Sequence, residues 1–350
     1  MRNYSYQDKW EKLLTPEIVN YLALIHEYKG KQVAISDLHE DVLQNLVEIA
    51  RIQSTEGSNK IEGIFTSDER LKKIVLDKTT PHSRDECEIA GYRDVLNTIH
   101  DSYAYIPLRP AYILQLHRDM YRYEGTRFGG TWKSSDNSIE EISTDGTRRV
   151  RFKPVAAWET PEAMDQLCSA YQKTIQEGRA DPLLLIPMFI LDFLCIHPFL
   201  DGNGRMSRLL TLLLMYQNGY DIGKYISIEK LIETRKEQYY DALQASSVGW
   251  YEEKNNYQPF AAYMLGIITA AYREFFERTE FVKESRMAKP DRLEDAMRRK
   301  TGTFTKTEIQ NEFPDIGQAT IQRTLINLQK DHKIIKIGDG RYTKYRWNRE

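Results

Sequence analysis

Apolar residues recur along most of the chain at spacings of three and four positions, and this pattern predicts helices. Residues Ile18–Ile25 are typical, because such spacing places the apolar side chains on one face of a helix. Apolar and polar residues alternate clearly in two places only, Ser138–Pro154 and Lys333–Trp347. The first contains an Asp145-Gly146 turn and the second a Gly338-Asp339-Gly340 turn, so both are expected to be β-hairpins. The pattern therefore predicts a mainly α fold with two small hairpins.

The most apolar stretch of the chain, Pro182–Leu200, is expected to be a buried helix. It carries Asp192 and internal prolines, which a bilayer would disfavour. Asp181 and Pro182 have the residue types of an N-cap and a first helical position. A second apolar helix is predicted from Arg205 to Gln217, closed by Asn218-Gly219. The residues between the two helices then form a short loop held between buried elements.

Composition narrows the class of protein. The chain has 350 residues, of which 41% are hydrophobic, and this length and composition predict about two to three folded domains. Lys and Arg number 49 against 51 Asp and Glu, which argues against capture of nucleic acid or an anionic membrane by the whole chain. The three cysteines are widely spaced and form no CxxC pair, so neither a disulfide framework nor a zinc site is expected. Without a signal-peptide pattern at its N-terminus, the sequence favours a cytoplasmic protein with no membrane segment.

The C-terminal part of the chain differs in charge from the rest. Residues 291–350 hold 13 Lys and Arg against 9 Asp and Glu, and they follow a polar stretch, Val282–Pro290, that predicts a domain boundary. Three helices and a hairpin are expected here, with a capping box at Thr305-x-x-Glu308, and this order resembles a winged-helix domain. A DNA-binding domain and a small protein-contact module both remain open. The candidate DNA contacts are Gln318, Gln322 and Arg323 on a helix and Arg341, Lys344 and Arg346 in a wing.

The loop between the two apolar helices has the residue types of an anion-binding site. Gly202 and Gly204 permit backbone conformations in which successive N–H groups point into one concavity. This concavity lies at a helix N-terminus, where unpaired N–H groups and the helix dipole favour an anion. Arg205 and Arg208 are three positions apart, so both are expected to reach a polyphosphate.

Two further residues of the loop predict catalysis. Asp201 precedes the glycine and is placed to hold a divalent cation against the same phosphates. His197 lies at the start of the loop, and its ordinary pKa of about 6.5 suits it to accept a hydroxyl proton at neutral pH.

The run HPFLDGNGRMSR, His197–Arg208, resembles the Fic-family signature HxFx(D/E)GNGRxxR at every defining position. The family transfers a nucleotide portion, usually AMP from ATP, to a protein hydroxyl. The resemblance implies that His197 is the general base, that Asp201 coordinates Mg²⁺, and that the backbone from Gly202 to Ser207 binds phosphate. The implied phosphate-binding residues are Gly202, Asn203, Gly204, Arg205, Met206, Ser207 and Arg208, with the Asn203 side chain contributing, Arg205 holding the β-phosphate and Arg208 the γ-phosphate.

The likeness to the family extends over roughly residues 50–275. Gly130-Thr131-Trp132-Lys133 and the hairpin that ends near Phe152 stand where the family has its entry segment and its target-docking flap, although Lys133 replaces the commoner arginine. Residues 233–243 resemble the family's helix beside the adenine. Tyr239 or Tyr240 is expected to stack on the base, with an aromatic core pair as the open alternative.

A segment far upstream resembles the family's inhibitory pattern (S/T)xxxE(G/N). It runs from Ser58 to Gly63, and Ser58 and Glu62 share a helical face. The resemblance implies that Glu62 pairs with Arg208 and occupies the place of the γ-phosphate.

The domain prediction is therefore residues 1–110 with an inhibitory helix at about 45–63, a Fic-type helical core at 111–282, and a winged-helix-like domain at 283–350.

Together these resemblances predict an autoinhibited protein adenylyltransferase. It would use ATP and Mg²⁺ to modify a Tyr, Thr or Ser hydroxyl of a target protein, including its own chain. Self-association as a homodimer is a further expectation from the family. Two alternatives stay open: a de-AMPylase in which Glu62 positions a water, and a nucleotide-sensing regulator that binds DNA through residues 283–350.

Overall fold

The computed structural model describes residues 2, 4–36, 40–125, 129–142, 148–286, 288–300, 302–338, 340 and 343–348. Its helices are α1 Pro16–Ser36, α2 Glu40–Ile61, α3 Asp68–Val75, α4 Arg84–Ser102, α5 Pro110–Met120, α6 Thr160–Glu177, α7 Pro182–Ile196, α8 Asn203–Gln217, α9 Ile228–Glu233, α10 Lys236–Ser247, α11 Gln258–Arg286, α12 Lys289–Arg299, α13 Lys306–Glu312 and α14 Gln318–Lys330. The strands are β1 Ile139–Ile142, β2 Arg148–Phe152, β3 Thr303–Phe304, β4 Ile334–Ile337 and β5 Lys344–Trp347. The prediction of a mainly α fold is confirmed. The chain divides into two compact units, residues 1–275 and 276–350.

Helix α7 lies at the centre of the first unit and packs against α6 and α8. Nearly every side chain from Leu183 to Ile196 is buried, as expected for a helix that is apolar on all sides. The Asp181 side chain accepts a hydrogen bond from the Leu183 N–H at 2.9 Å, and Pro182 follows at the first helical position. The predicted N-cap is thus confirmed. Within the described residues, no helix is both long enough and apolar enough to span a bilayer.

Helix α2 packs along α9, and Gly57 permits the close approach of the two helices. A Cβ on Gly57 would lie 2.9 Å from the backbone nitrogen of Lys230, so a larger residue would force the helices apart. The hydroxyl of Ser54 also bonds the hydroxyl of Ser227 at 2.9 Å. These contacts hold the C-terminal half of α2 on the first unit.

Helix α2 ends in a Schellman motif. Gly63 adopts a left-handed conformation with a φ of 80°, and its N–H donates to the Lys60 carbonyl at 3.1 Å. The Ile64 N–H donates to the Asn59 carbonyl at 3.0 Å, which completes the motif. Glu62 therefore sits at the C-cap, where the backbone leaves the helix.

Strands β1 and β2 form the first predicted hairpin. They pair antiparallel with Ile139 opposite Phe152, and a bulge follows Ile139. The predicted Asp145-Gly146 turn lies outside the described residues. The position of this hairpin matters for the site, because Ile139 and Phe152 both face a cavity beside α7.

The second unit follows the predicted order of helices and hairpin, with one short strand, β3, that the sequence did not indicate. Its sheet has the order β3-β5-β4, with antiparallel pairs. The capping box is confirmed, because Thr305 Oγ1 accepts from the Glu308 N–H and Glu308 accepts from the Thr305 N–H. The core consists of apolar residues from all of these elements: Leu293, Met297, Phe304, Ile309, Ile316, Ile321, Leu325, Leu328, Ile334 and Tyr345. Assignment of this unit as a winged helix stays a prediction.

Candidate active site

The loop from His197 to Gly202 connects α7 to α8 and is shaped by the side chain of Asn203. Asn203 Oδ1 accepts from the Phe199 N–H at 2.9 Å, and Nδ2 donates to the Phe199 carbonyl at 2.8 Å. Both ends of this amide are therefore used within the loop. In this structure the Asn203 side chain therefore fixes the loop, and its contribution to phosphate binding stays a prediction.

His197 ends α7 and lines the adjacent cavity. Its Nδ1 lies 3.3 Å from the Leu194 carbonyl, which only accepts hydrogen bonds, so Nδ1 carries the proton and Nε2 is the acceptor. Burial lowers the pKa of His197 to about 4, and the nearby ammonium of Lys133 acts in the same direction. The imidazole is therefore neutral at pH 7 and able to take up a proton at Nε2.

The cavity has a volume of about 410 Å³ and lies between α7, α10, the hairpin and the N-terminus of α8. Its walls are mainly apolar, with a few polar groups at one end, as is typical of a small-molecule site. The lining residues are Glu62, Ile139, Arg151, Phe152, Leu191, Leu194, Cys195, His197, Gly204, Arg208, Tyr239, Tyr240, Leu243, Gln244 and Ser247.

Glu62 and Arg208 form the polar end of this cavity. Arg208 Nη2 donates to Glu62 Oε1 at 2.7 Å, while its Nε donates to Ser58 Oγ at 2.8 Å. Arg208 is buried, and although burial opposes its charge, Glu62 keeps the pKa of Arg208 above its ordinary value. The Glu62 carboxylate also lies directly against Gly204, in the first turn of α8. The structure thus brings together Ser58, Glu62 and Arg208 at a helix N-terminus, where an anion is favoured.

Arg205 has different partners from Arg208 and does not line the cavity. Its guanidinium is 1% exposed and contacts Glu88 of α4 at 2.7 Å and the Tyr121 hydroxyl at 2.7 Å. Among the described residues, Arg205 Nε and Nη1 have no hydrogen-bond partner. The two arginines of the signature therefore do not meet at one place in this structure, and the β-phosphate role of Arg205 stays a prediction.

Asp201 is exposed at the rim of the loop. Its carboxylate accepts from the Gly202 N–H at 2.6 Å, and its carbonyl is 3.1 Å from His117 Nε2. Within the described residues, no group of three or more His, Cys, Asp or Glu side chains converges as a metal site. A single accessible carboxylate beside an anion-favouring helix N-terminus suits Mg²⁺, which is typically held by one or two carboxylates together with substrate phosphates.

The other residues predicted to bind phosphate or adenine differ in the groups that they present to the cavity. The Met206 side chain is buried and its N–H bonds the Gly202 carbonyl at 2.9 Å, so the N–H groups without an intrahelical partner lie in the first turn of α8. Phosphate binding by Met206 stays a prediction. The Ser207 hydroxyl donates to the Gly204 carbonyl at 2.7 Å. Tyr239 is buried in an aromatic cluster, whereas Tyr240 is half-buried on the cavity wall. Tyr240 is thus the more accessible of the two for stacking.

Comparison with known proteins gives a family match that includes the loop. Residues 107–215 match the Fic/DOC family. The chain contains a domain of the Fic/DOC family. A Fido domain-containing protein of Dictyostelium discoideum is 24% identical over 146 residues, which are 42% of this chain and 95% of that protein. The protein adenylyltransferase fic-1 of Caenorhabditis elegans is 32% identical over 117 residues, which are 33% of this chain but 20% of that protein.

A solved structure resembles nearly the whole chain. The crystal structure of a Fic family protein from Desulfovibrio desulfuricans superposes with a TM-score of 0.63 at 22% identity, over 96% of this chain and 97% of that one. At this identity the likeness concerns the fold. It shows that a Fic-type helical fold is not confined to the matched residues 107–215.

Several residues that support the Fic/DOC loop have no signal in the signature itself. His117 of α5 stacks on Phe199 with ring centroids 3.7 Å apart, and its Nδ1 accepts from the Gly130 N–H at 3.0 Å. Burial lowers the pKa of His117 to about 4, so its ring is neutral at pH 7 and supports the loop by stacking and hydrogen bonding. Lys133 and Asn137 bond carbonyls of the loop. In the sequence, Gly130 and Lys133 stand out only as part of a segment that resembles the family, and that resemblance does not predict that they support the loop.

Proposed function

We propose that the protein is an autoinhibited protein adenylyltransferase that transfers AMP from ATP to a hydroxyl of a target protein, including its own chain. The observation that carries this proposal is the position of Glu62. Its carboxylate pairs with Arg208 and covers the first turn of α8, while His197 lines the same cavity. A carboxylate that occupies an anion-binding site beside a neutral base is the arrangement expected of an enzyme that is held inactive.

In the proposed reaction His197 acts as the general base. Its Nε2 takes the proton of the target hydroxyl as the oxygen attacks the α-phosphorus, and pyrophosphate leaves with the bond to the α-phosphorus broken. Burial weakens the imidazole as a base, but a bound polyphosphate near the ring favours its protonated form and raises its pKa. Positioned base catalysis of this kind contributes about 10²–10⁴-fold.

The phosphates would be bound by the N–H groups of the first turn of α8 and by Arg208, once Glu62 has left. Tyr240 would stack on the adenine, and the apolar wall of α7 would contact the nucleoside. Mg²⁺, when bound, would be held by Asp201 together with phosphate oxygens, and would neutralise their charge. The adenylyltransferase name of the C. elegans relative supports the same reaction.

One experiment tests reaction, donor and base together. The Glu62→Gly protein is incubated with Mg²⁺ and ATP, GTP, CTP or UTP, and its intact mass is measured. We expect an added AMP with ATP at a level about tenfold or more above the wild type, and none in the Glu62→Gly/His197→Ala double variant. If Glu62→Gly gains no nucleotide, the proposal is wrong. If instead the wild type removes AMP from a pre-modified protein and Glu62→Gly does not, de-AMPylation is the activity.

We infer a second function, duplex DNA binding, for residues 276–350. It is favoured by the exposed face of α14, which presents cationic, amide and apolar side chains without a carboxylate: Gln318, Ala319, Gln322, Arg323, Ile326, Asn327 and Lys330. Arg, Gln and Asn are the residue types that read base edges in the major groove. Lys344 and Arg346 are exposed on β5, whereas Arg341 lies outside the described residues.

A gel shift of the full chain with short duplex DNA tests this second function. We expect binding that weakens as salt rises from about 50 to 200 mM, and weaker binding for Arg323→Ala. Arg179→Ala removes an exposed arginine of the first unit and should leave binding unchanged. Absence of a shift at low salt would assign the α14 face to a protein partner instead.

A further inference from the structure

His197 has a backbone conformation that needs external support. Its φ is 51°, in the left-handed region that residues other than glycine rarely adopt. A non-glycine residue held there is strained, and it persists only where the surroundings fix it. The contacts on either side of His197 are therefore the place to look for that support.

Lys133 bonds both carbonyls that flank His197. Its ammonium Nζ donates to the Ile196 carbonyl at 3.0 Å, and its backbone N–H donates to the Pro198 carbonyl at 2.9 Å. The Ile196 carbonyl is one of the last of α7, where a cation is favoured by the helix dipole. One residue from a separate segment thus fixes the peptide groups before and after the imidazole.

Asn137 extends this support along the loop. It accepts from Lys133 Nζ at 3.0 Å through its Oδ1 and donates to the Phe199 carbonyl at 3.1 Å through its Nδ2. Together, Lys133 and Asn137 bond three of the carbonyls between Ile196 and Phe199. The bonds converge on the short stretch that carries His197.

Burial of the Lys133 ammonium is unfavourable, because it removes the charge from solvent. The residue is 3% exposed, and burial lowers the pKa of Lys133 to about 8 while Asp136 acts against that shift. A buried cation is retained only where its hydrogen bonds compensate for lost solvation. Among the described residues, this ammonium donates to Asn137 Oδ1 and to the carbonyl of Ile196, which directly precedes His197, so its hydrogen bonding serves the loop.

We propose that Lys133 is a positioning residue for the catalytic base, holding the His197 imidazole in place by bonding the carbonyls on both sides of it. This inference rests on the proposed role of His197 and adds to it a residue outside the signature. The charge of Lys133 also acts on the imidazole of His197. Its charge lowers the pKa of His197, whereas Glu62 and Asp201 raise it, so removal of the ammonium should change the titration of the ring as well as its position.

The test uses three variants in the Glu62→Gly background. Lys133→Met removes the ammonium, Lys133→Arg keeps a cationic donor, and Lys173→Met removes an exposed lysine of α6 as a control. We expect Lys133→Met to lower kcat by about 10–100-fold with little change in the KM for ATP, because misplacement of a catalytic group by about 1 Å costs up to about 10²-fold. Lys133→Arg should restore most of kcat, and Lys173→Met should have no effect.

A second readout is independent of activity. The pKa of His197, followed by NMR through its ring protons, should rise in Lys133→Met. Unchanged kcat together with an unchanged pKa would overturn the inference. If Lys133→Met does not fold, Asn137→Ala removes one partner of the ammonium and should give a smaller fall in kcat. If the Glu62→Gly parent transfers nothing, the proposed function fails, and the NMR titration alone decides whether Lys133 holds and tunes the ring.

Discussion

The carboxylate of Glu62 lies against the Cα of Gly204 so closely that no Cβ would fit between them. Arg208 holds that carboxylate from the other side, at 2.7 Å. The C-terminus of α2 and the N-terminus of α8 therefore share one small volume. A side chain already fills the volume that the proposed function gives to a phosphate.

Gly204→Ala tests this contact through stability. In the wild type the new methyl group would displace Glu62, and we expect a lower free energy of unfolding. With Glu62→Gly the obstruction is gone, and the same substitution should be neutral or stabilising by about 0.5–1 kcal/mol, because alanine favours a helix over glycine. Urea unfolding of the four proteins should give a coupling of about 1 kcal/mol or more. Equal effects in both backgrounds would contradict the contact.

Gly57→Ala should loosen α2, the helix to which the proposed function assigns the inhibition, without changing a residue that lines the cavity. Its Cβ would lie 2.9 Å from Lys230 N and 3.0 Å from the Glu229 carbonyl carbon, and backbone atoms do not yield easily. We expect α2 to move away from α9, with self-modification by ATP rising above the wild type but staying below Glu62→Gly. Gly30→Ala is the matched control, because a Cβ at Gly30 has nothing within 4 Å. Activity equal to the wild type in Gly57→Ala would show that α2 is not held by this packing.

Buried histidines should make the fold sensitive to acid. Burial lowers the pKa of His100 to about 3, and of His117 and His197 to about 4, from 6.5. Between about pH 6.5 and 4 the unfolded chain binds protons at these positions that the folded chain does not, so the free energy of unfolding falls as pH falls. Each histidine contributes up to about 1.4 kcal/mol per pH unit in that window.

The acid sensitivity can be measured by urea unfolding at several values between about pH 7 and 5. His117→Gln should reduce the slope of stability against pH by about a third of the histidine contribution, because one of the three titrating groups is gone. A slope that is the same in His117→Gln and the wild type would show that His117 is protonated in the folded state.

The extreme N-terminus should matter for stability through Asp192. This carboxylate, five positions before His197, is fully buried and accepts hydrogen bonds from Tyr6 at 2.9 Å and Trp250 at 2.6 Å. Arg2 lies 3.6 Å from it. We expect Arg2→Ala to lower the free energy of unfolding by about 3–5 kcal/mol, since it leaves a buried charge without its partner.

The matched control for Arg2 is an exposed ion pair. Lys73 pairs with Glu69 on the surface of α3, where the two side chains are 48% and 80% exposed. Lys73→Ala should change stability by no more than about 1 kcal/mol. A loss in Arg2→Ala no larger than that of Lys73→Ala would mean that the remaining donors to Asp192 suffice.

Features that depend on neighbouring residues could be predicted from the sequence. The N-cap at Asp181 and the capping box at Thr305 are formed within a few positions, so residue type and spacing determine them. The buried character of α7 follows from its unbroken apolar run. The contact of Glu62 with Arg208 joins segments far apart, and it was reached only through resemblance to a family pattern.

Other long-range contacts could not be predicted from the sequence. Nothing local to Glu88 indicates that it pairs with Arg205, and nothing near Arg2 points to Asp192. The bonds of the Asn203 side chain to Phe199 could not be predicted either, because residue type alone does not tell an amide that closes a loop from one that binds a ligand. Which partner it takes depends on how the backbone at Phe199 turns.

Glu62 occupies the C-cap of α2, and a helix frays first at its ends. Opening the Schellman turn at Gly63 would swing the carboxylate out while Gly57 and Ser54 stay packed on α9. Under the proposed function, release of the inhibition then requires only the local melting of one turn. The proposed enzyme would always keep a small uninhibited fraction, and any partner that binds the residues after Gly63 would enlarge that fraction in a graded way.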